Sequence, residues 1–158
     1  MNASEQLENS NLMVISAVDD LPETTWDIPG VCGNWSVKDI VAHLASYEHI
    51  VVEVLSIFQK GEPTPSILKF LHQRDQFNND EVEARKYDTA QHIEDEYQDM
   101  QVQAASLLMQ IPDEKVLKKG TMPWYGEDCC LADFIHRIYE HTQEHCAQIA
   151  SFRESNSH

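Results

Sequence analysis

Apolar residues recur at helical spacing in four separate stretches of this chain, and that repetition restricts the fold more than any other feature. In the first stretch Leu7, Val14, Val18 and Leu21 follow at intervals of seven, four and three, the stripe of an amphipathic helix over residues 4–21. Pro22 ends it, and Pro29, Gly30 and Gly33 mark a loop. Ser36 then offers an N-cap, with Asp39 three residues on as its capping-box partner. The second helix runs from there to about Gln59, its buried side reading Ile40, Leu44, Tyr47, Val51, Val54 and Phe58, until Gly61 and Pro63 break it. A third extends from about Thr89 to Ile111 through Ile93, Tyr97, Met100, Ala104 and Leu107 or Leu108, and Pro112 stops it. Asp128 is the expected N-cap of the fourth, which continues to about Phe152 along Phe134, Ile138, Ile149 and Phe152.

The connections are less regular. Residues 61–88 are mixed, with a short helix expected from Pro65 or Ser66 through Leu71 and another from Asn79 or Asp80 through Lys86. Residues 113–128 hold Gly120, Pro123, Trp124, Tyr125 and Gly126 and read as a structured loop with a little strand. The last four residues, 155–158, are expected to fray. The expected fold is all-α: a single-domain four-helix bundle spanning 1–158, with a long crossover between the second and third helices. That crossover leaves simple up-down-up-down order unassured.

Charge narrows the function classes. Against 27 acidic residues stand 11 basic ones, a formal net charge of -16, which repels phosphate backbones and anionic lipid. No nucleic-acid or membrane partner is expected, and the charge says little about small-molecule substrates. The first residues lack a basic region followed by an apolar run, and no uninterrupted apolar stretch approaches the ~20 residues that span a bilayer. Cys32, Cys129, Cys130 and Cys146 form no Cys-x-x-Cys pair. They read as reduced thiols of a cytoplasmic protein rather than as a disulfide between Cys32 and Cys129 or Cys130.

The chemistry concentrates in three histidines. Each helical residue steps ~100° around the axis, so His141 and His145 lie one turn apart, aligned with Ile138 and Ile149, and point inward. His136 lies about half a turn of azimuth from His145 and faces elsewhere. His43 sits beside Ile40, Tyr47 and Ile50 on the second helix. His49 reads as peripheral, and His72 and His92 as solvated. If the two helices pack together, His43, His141 and His145 converge, and three neutral nitrogens with open positions left over suit a catalytic divalent metal. The blander alternative is that they are packed core histidines. Burying two of them one turn apart without a shared purpose, however, costs desolvation twice. Glu48, Glu140 and Glu144 are near enough in sequence to take the second ring proton of a ligating histidine, while Cys146 lies ~100° from His145 and is a poor closing ligand. Trp35 and Trp124 are weak candidates for lining a substrate pocket. The alternative has Trp35 anchoring the start of the second helix and Trp124 lidding the bundle.

The stretch Gly33-Asn34-Trp35-Ser36-Val37-Lys38-Asp39-Ile40-Val41-Ala42-His43-Leu44 resembles the Trp-Ser…His-Leu signature of the DinB-like superfamily. Glu140-His141-Thr142-Gln143-Glu144-His145-Cys146-Ala147-Gln148-Ile149 is similar to its His-x-x-x-His-x-(Gly/Ala)-Gln-Ile ending, with Pro123-Trp124-Tyr125-Gly126 in the family's style between them. The resemblance implies a four-helix bundle holding zinc or nickel through three histidines, which map onto His43, His141 and His145. It also implies activities that differ among members: transfer of bacillithiol or glutathione-like thiols to electrophiles, mycothiol-dependent isomerisation of maleylpyruvate, and hydrolytic opening of a cyclopropane in a genotoxic natural product. A metal-dependent thiol transferase or hydrolase acting on a small electrophile, in detoxification or stress, is the leading expectation, with Glu140, Glu144 or Tyr47 as candidates for proton handling. A low-molecular-weight thiol cofactor is less secure, because such thiols are anionic and Lys38, Lys118, Lys119 and Arg137 are the only basic residues expected near the mouth. The contrasting readings are a non-catalytic metal- or ligand-binding stress protein, dimeric through an apolar helix face, and a bundle with a vestigial, metal-free site.

Overall fold

The computed structural model describes residues 1–58 and 61–156. Its elements are all helical: α1 (Ala3–Val18), α2 (Glu23–Trp26), α3 (Val37–Ile57), α4 (Pro65–His72), α5 (Arg74–Ala84), α6 (Ala90–Met109), α7 (Asp113–Val116) and α8 (Leu131–Ser155). The four long helices are those expected from the apolar stripes, and each begins where a side chain can satisfy the first free backbone amides. Asn2 Oδ1 accepts from Glu5 N at 2.9 Å. Ser36 Oγ accepts from Asp39 N at 3.1 Å while Ser36 N donates to Asp39 Oδ2 at 3.0 Å, closing the expected capping box. Thr89 Oγ1 accepts from His92 N at 3.1 Å.

Several boundaries differ from expectation, each for a local reason. Asp128 does not cap α8: Cys130 is the N-cap, and its amide donates to Asp133 Oδ2 at 2.8 Å. In the crossover, Asn79 and Asp80 lie within α5 rather than starting it. Asp80 spends its carboxylate on Lys69 Nζ at 2.6 Å and Gln76 Nε2 at 2.7 Å, on the outer face of the helix. Two one-turn helices follow proline N-caps, α2 after Pro22 and α7 after Pro112. Among the described residues 113–128 contain no strand; the single β-bridge pairs Cys32 with Trp35. The expected end of the second helix at Gln59, and the fraying of Ser157 and His158, lie outside the described residues.

Packing joins α3 to α6 and α1 to α8 along their lengths, with α1 also against α6 and α3 against α8. The first two long helices therefore occupy opposite corners of the bundle instead of neighbouring ones. By length and composition α3 could cross a membrane, yet 72% of its most apolar window is buried inside the protein. The crossover helices α4 and α5 lie against α3, placing Phe70 and Phe77 in the core.

That core is divided. One apolar cluster gathers Leu7, Ile50, Ala104 and Ile138, and the other Val14, Leu44, Tyr97 and Ile149. Between them every long helix contributes a buried polar side chain: Ser10 from α1, Ser46 and Glu48 from α3, Gln101 from α6, Thr142 from α8. Ser46 and Thr142 satisfy their hydroxyls within their own helices, donating to His43 O at 2.6 Å and Ile138 O at 3.0 Å. His43 and His145 lie at the level of this layer, where α3 meets α8.

Candidate metal centre

The one-turn spacing on α8 and the inward phase of α3 bring three imidazoles to one point. His43 Nε2 lies 2.9 Å from His141 Nε2, and His145 Nε2 lies 3.1 Å from the same atom. The ligand-capable atoms of all three fall within 4.8 Å of one another, and no other His, Cys, Asp or Glu joins the group among the described residues. Nitrogens held at ordinary zinc distances around a tetrahedral centre stand ~3.3 Å apart, close to the two separations seen.

Protons alone do not account for this cluster. His145 Nδ1 donates to Gln148 Oε1 at 2.8 Å, which leaves a bare lone pair on Nε2 facing the other rings. The Nδ1 atoms of His43 and His141 are buried without a partner among the described residues. With at most one proton shared along each Nε2 contact, bare lone pairs face one another at the cluster, and a shared cation suits them; the two Nδ1 atoms stay without a partner either way. Burial, reinforced by His141, His145 and Arg74, holds the His43 imidazole down to about 2. His141 is held down to about 3 by burial, with His145 and Arg74 adding to it, and burial also lowers His145. All three rings are neutral at physiological pH, the state that ligates metals.

Aromatic rings hold the imidazoles in place. Tyr47 stacks on His141 with ring centres 4.4 Å apart and planes 15° from parallel, while Trp35 meets His43 at 4.8 Å. The Tyr47 hydroxyl donates to Asn78 Oδ1 at 3.0 Å, and burial raises its pKa. Beside His141 opens a cavity of about 380 Å³, lined by Tyr47, Phe70, Arg74, Tyr125, Phe134, Arg137, Ile138, Glu140 and Glu144.

Other residues named from the sequence take varied places. Glu140 and Glu144 are exposed and line the cavity, and Glu140 Oε1 lies 3.5 Å from His136 Nε2. Glu48 is fully buried against Gln101, and burial pushes its carboxyl up to about 8. Gln6 Nε2 donates to His136 Nδ1, 2.8 Å away, and His49 pairs with Glu96 at 2.7 Å; His72 and His92 are exposed. Trp124 packs on the apolar core and Tyr125 without lining the cavity. Of the basic residues expected at the mouth, Arg137 is there. Lys38 is tied instead to Lys86 O and Asp88 O at 3.2 and 2.9 Å, and Lys118 and Lys119 are exposed away from the cavity. Arg74 and Gln148 were missed. The α5 segment carries no apolar period that would have aimed Arg74, whereas Gln148 stands three residues after His145, within reach on a helix.

A sequence model of the DinB superfamily matches residues 6–149. A search of curated proteins found no match. Among solved structures, a crystal structure of a protein from Streptococcus pneumoniae, determined by a structural genomics consortium, superposes with a TM-score of 0.83 at 13% identity, covering 98% of this chain and 91% of that one. At that identity the likeness concerns the fold.

Proposed function

The chain belongs to the DinB superfamily, and on that footing we propose that it is a metal-dependent enzyme in which His43, His141 and His145 hold a divalent ion, zinc or nickel, to turn a small thiol or water against an electrophilic substrate. The observation that carries this reading is the meeting of three neutral histidine Nε2 atoms, with His43 and His145 buried and His141 at the wall of a cavity large enough for a small molecule. When bound, the ion supplies Lewis acidity that makes a thiol or water nucleophilic near neutral pH.

The chain's own residues divide the remaining work. Gln148 fixes the His145 ring, and Tyr47 and Trp35 fix His141 and His43 by ring contact. With its pKa raised, the Tyr47 hydroxyl stays protonated and serves as a hydrogen-bond donor rather than a base. Glu140 and Glu144 reach the cavity from α8 and are the carboxylates placed to accept a proton there. Phe70, Tyr125 and Phe134 supply apolar rings to the cavity wall. The four cysteines are free thiols, in keeping with a reducing, cytoplasmic setting.

The test is a screen of the metal-loaded protein with low-molecular-weight thiols and with water against model electrophiles, alongside His141→Ala. Turnover that follows metal content and disappears in His141→Ala is expected. Turnover that survives loss of the metal would contradict the reading.

A further inference from the structure

The cavity beside His141 contains two guanidinium groups, Arg74 and Arg137, in a chain with 27 acidic residues and 11 basic ones. Elsewhere Lys38, Lys69, Arg85 and Lys86 each pair with a carboxylate. Neither cavity arginine forms an ion pair among the described residues, although Glu140 and Glu144 stand in the same wall. Lys115, Lys118, Lys119 and Arg153 also lack an ion pair among the described residues, but only Arg74 and Arg137 line the cavity beside His141, where an anion could meet both.

Arg74 is also held ready. Its Nε donates to Phe70 O at 2.6 Å, and its guanidinium carbon lies over the Phe70 ring, 3.8 Å from the centre. It also lies 5.7 Å from the centre of the Tyr47 ring, and Tyr47 in turn stacks on His141. A fixed guanidinium fork suits the two oxygens of a carboxylate. The rings of Phe70, Tyr125 and Phe134 line the same wall, which Glu140 and Glu144 share.

Resting on the three-histidine site as the reacting end of the cavity, we infer that the substrate is a small carboxylic acid carrying an apolar or aromatic body. Its carboxylate is held by Arg74 and Arg137, its body lies on the cavity rings, and its reactive atom is directed to the His141 side. The acidic surface then works as a filter: anions bind only where the two arginines offset it.

Calorimetric titration with benzoate, benzamide and inorganic phosphate, on the full chain as purified and after chelation, tests this. Benzoate is expected to bind at least ~10-fold more tightly than benzamide, and Arg74→Gln and Arg137→Gln are each expected to lose about 10-fold in benzoate affinity with metal and helical content unchanged. Equal binding of benzoate and benzamide, or unaltered affinity in both variants, overturns the inference, as does phosphate binding as tightly as benzoate. A preference for benzoate that vanishes on chelation would put the carboxylate on the metal and likewise overturn the arginine assignment. If the protein carries no metal yet keeps an arginine-dependent preference for benzoate, the anion subsite stands and only the metal reading falls.

Discussion

Gln148 decides which nitrogen of His145 is free. Its side-chain oxygen takes the Nδ1 proton at 2.8 Å, and such partners of ligating histidines typically govern 10–100-fold of metal affinity. Gln148→Ala is therefore expected to weaken divalent metal about 10–100-fold in competition with a chromophoric chelator, with helical content intact; unchanged affinity would show that the amide does not orient the ring. The histidines themselves give the metal-free protein an acid sensitivity. His43 and His141 ionise near 2 and 3 in the fold against 6.5 for a free ring, so between those values the unfolded chain binds more protons. Stability should fall as pH is lowered from about 6.5 toward 3, and denaturant midpoints of chelated protein at pH 7 and pH 5 measure it. At this scale the sequence was informative where helical phase decides the outcome. The ~100° step separates His136 from His141 and His145 without any coordinates. Arg74 had no such handle, because it stands at the break between α4 and α5, where its guanidinium turns back onto Phe70.

The helices show the same division between local and distant causes. The Ser36–Asp39 box was readable because cap and partner lie three residues apart and need nothing else. Ser36→Ala is expected to cost 0.5–2 kcal/mol, read from denaturant unfolding, and to loosen the start of the helix that carries His43. A loss well below that range would mean the box contributes little in this setting. Asp80 and Asp128 are also good caps by residue type, but neighbours settled their roles: Lys69 and Gln76 occupy the first, and Asp133 closes α8 onto Cys130 instead of the second. That α1 and α3 sit at opposite corners was equally out of reach, because all four stripes are apolar and any of them could pair.

Across the whole molecule, a polar layer separates two apolar clusters, and its one ionisable member outside the histidines is Glu48. Burial raises its carboxyl from 4.5 to about 8, so the fold keeps it protonated and a penalty accrues as pH climbs from 4.5 through 8. Its contribution to stability is fully present below 4.5 and is lost as pH rises through 8. Glu48→Gln should thus be more stable than the parent at pH 8, with the gap closing toward pH 4.5 in paired unfolding curves. An equal gap at both pH values would show that the fold does not raise the Glu48 pKa above its unfolded value. A metal at His43, His141 and His145 would tie α3 to α8 across this layer, so zinc or nickel at ~100 times its dissociation constant should add about 2.7 kcal/mol of stability. The most direct measurement is elemental analysis of protein never exposed to chelator, alongside His141→Ala prepared the same way. About one zinc or nickel per chain in the parent and none in a still-helical His141→Ala is the expected result; a parent without stoichiometric divalent metal, or a variant that keeps it, would contradict the three-histidine centre.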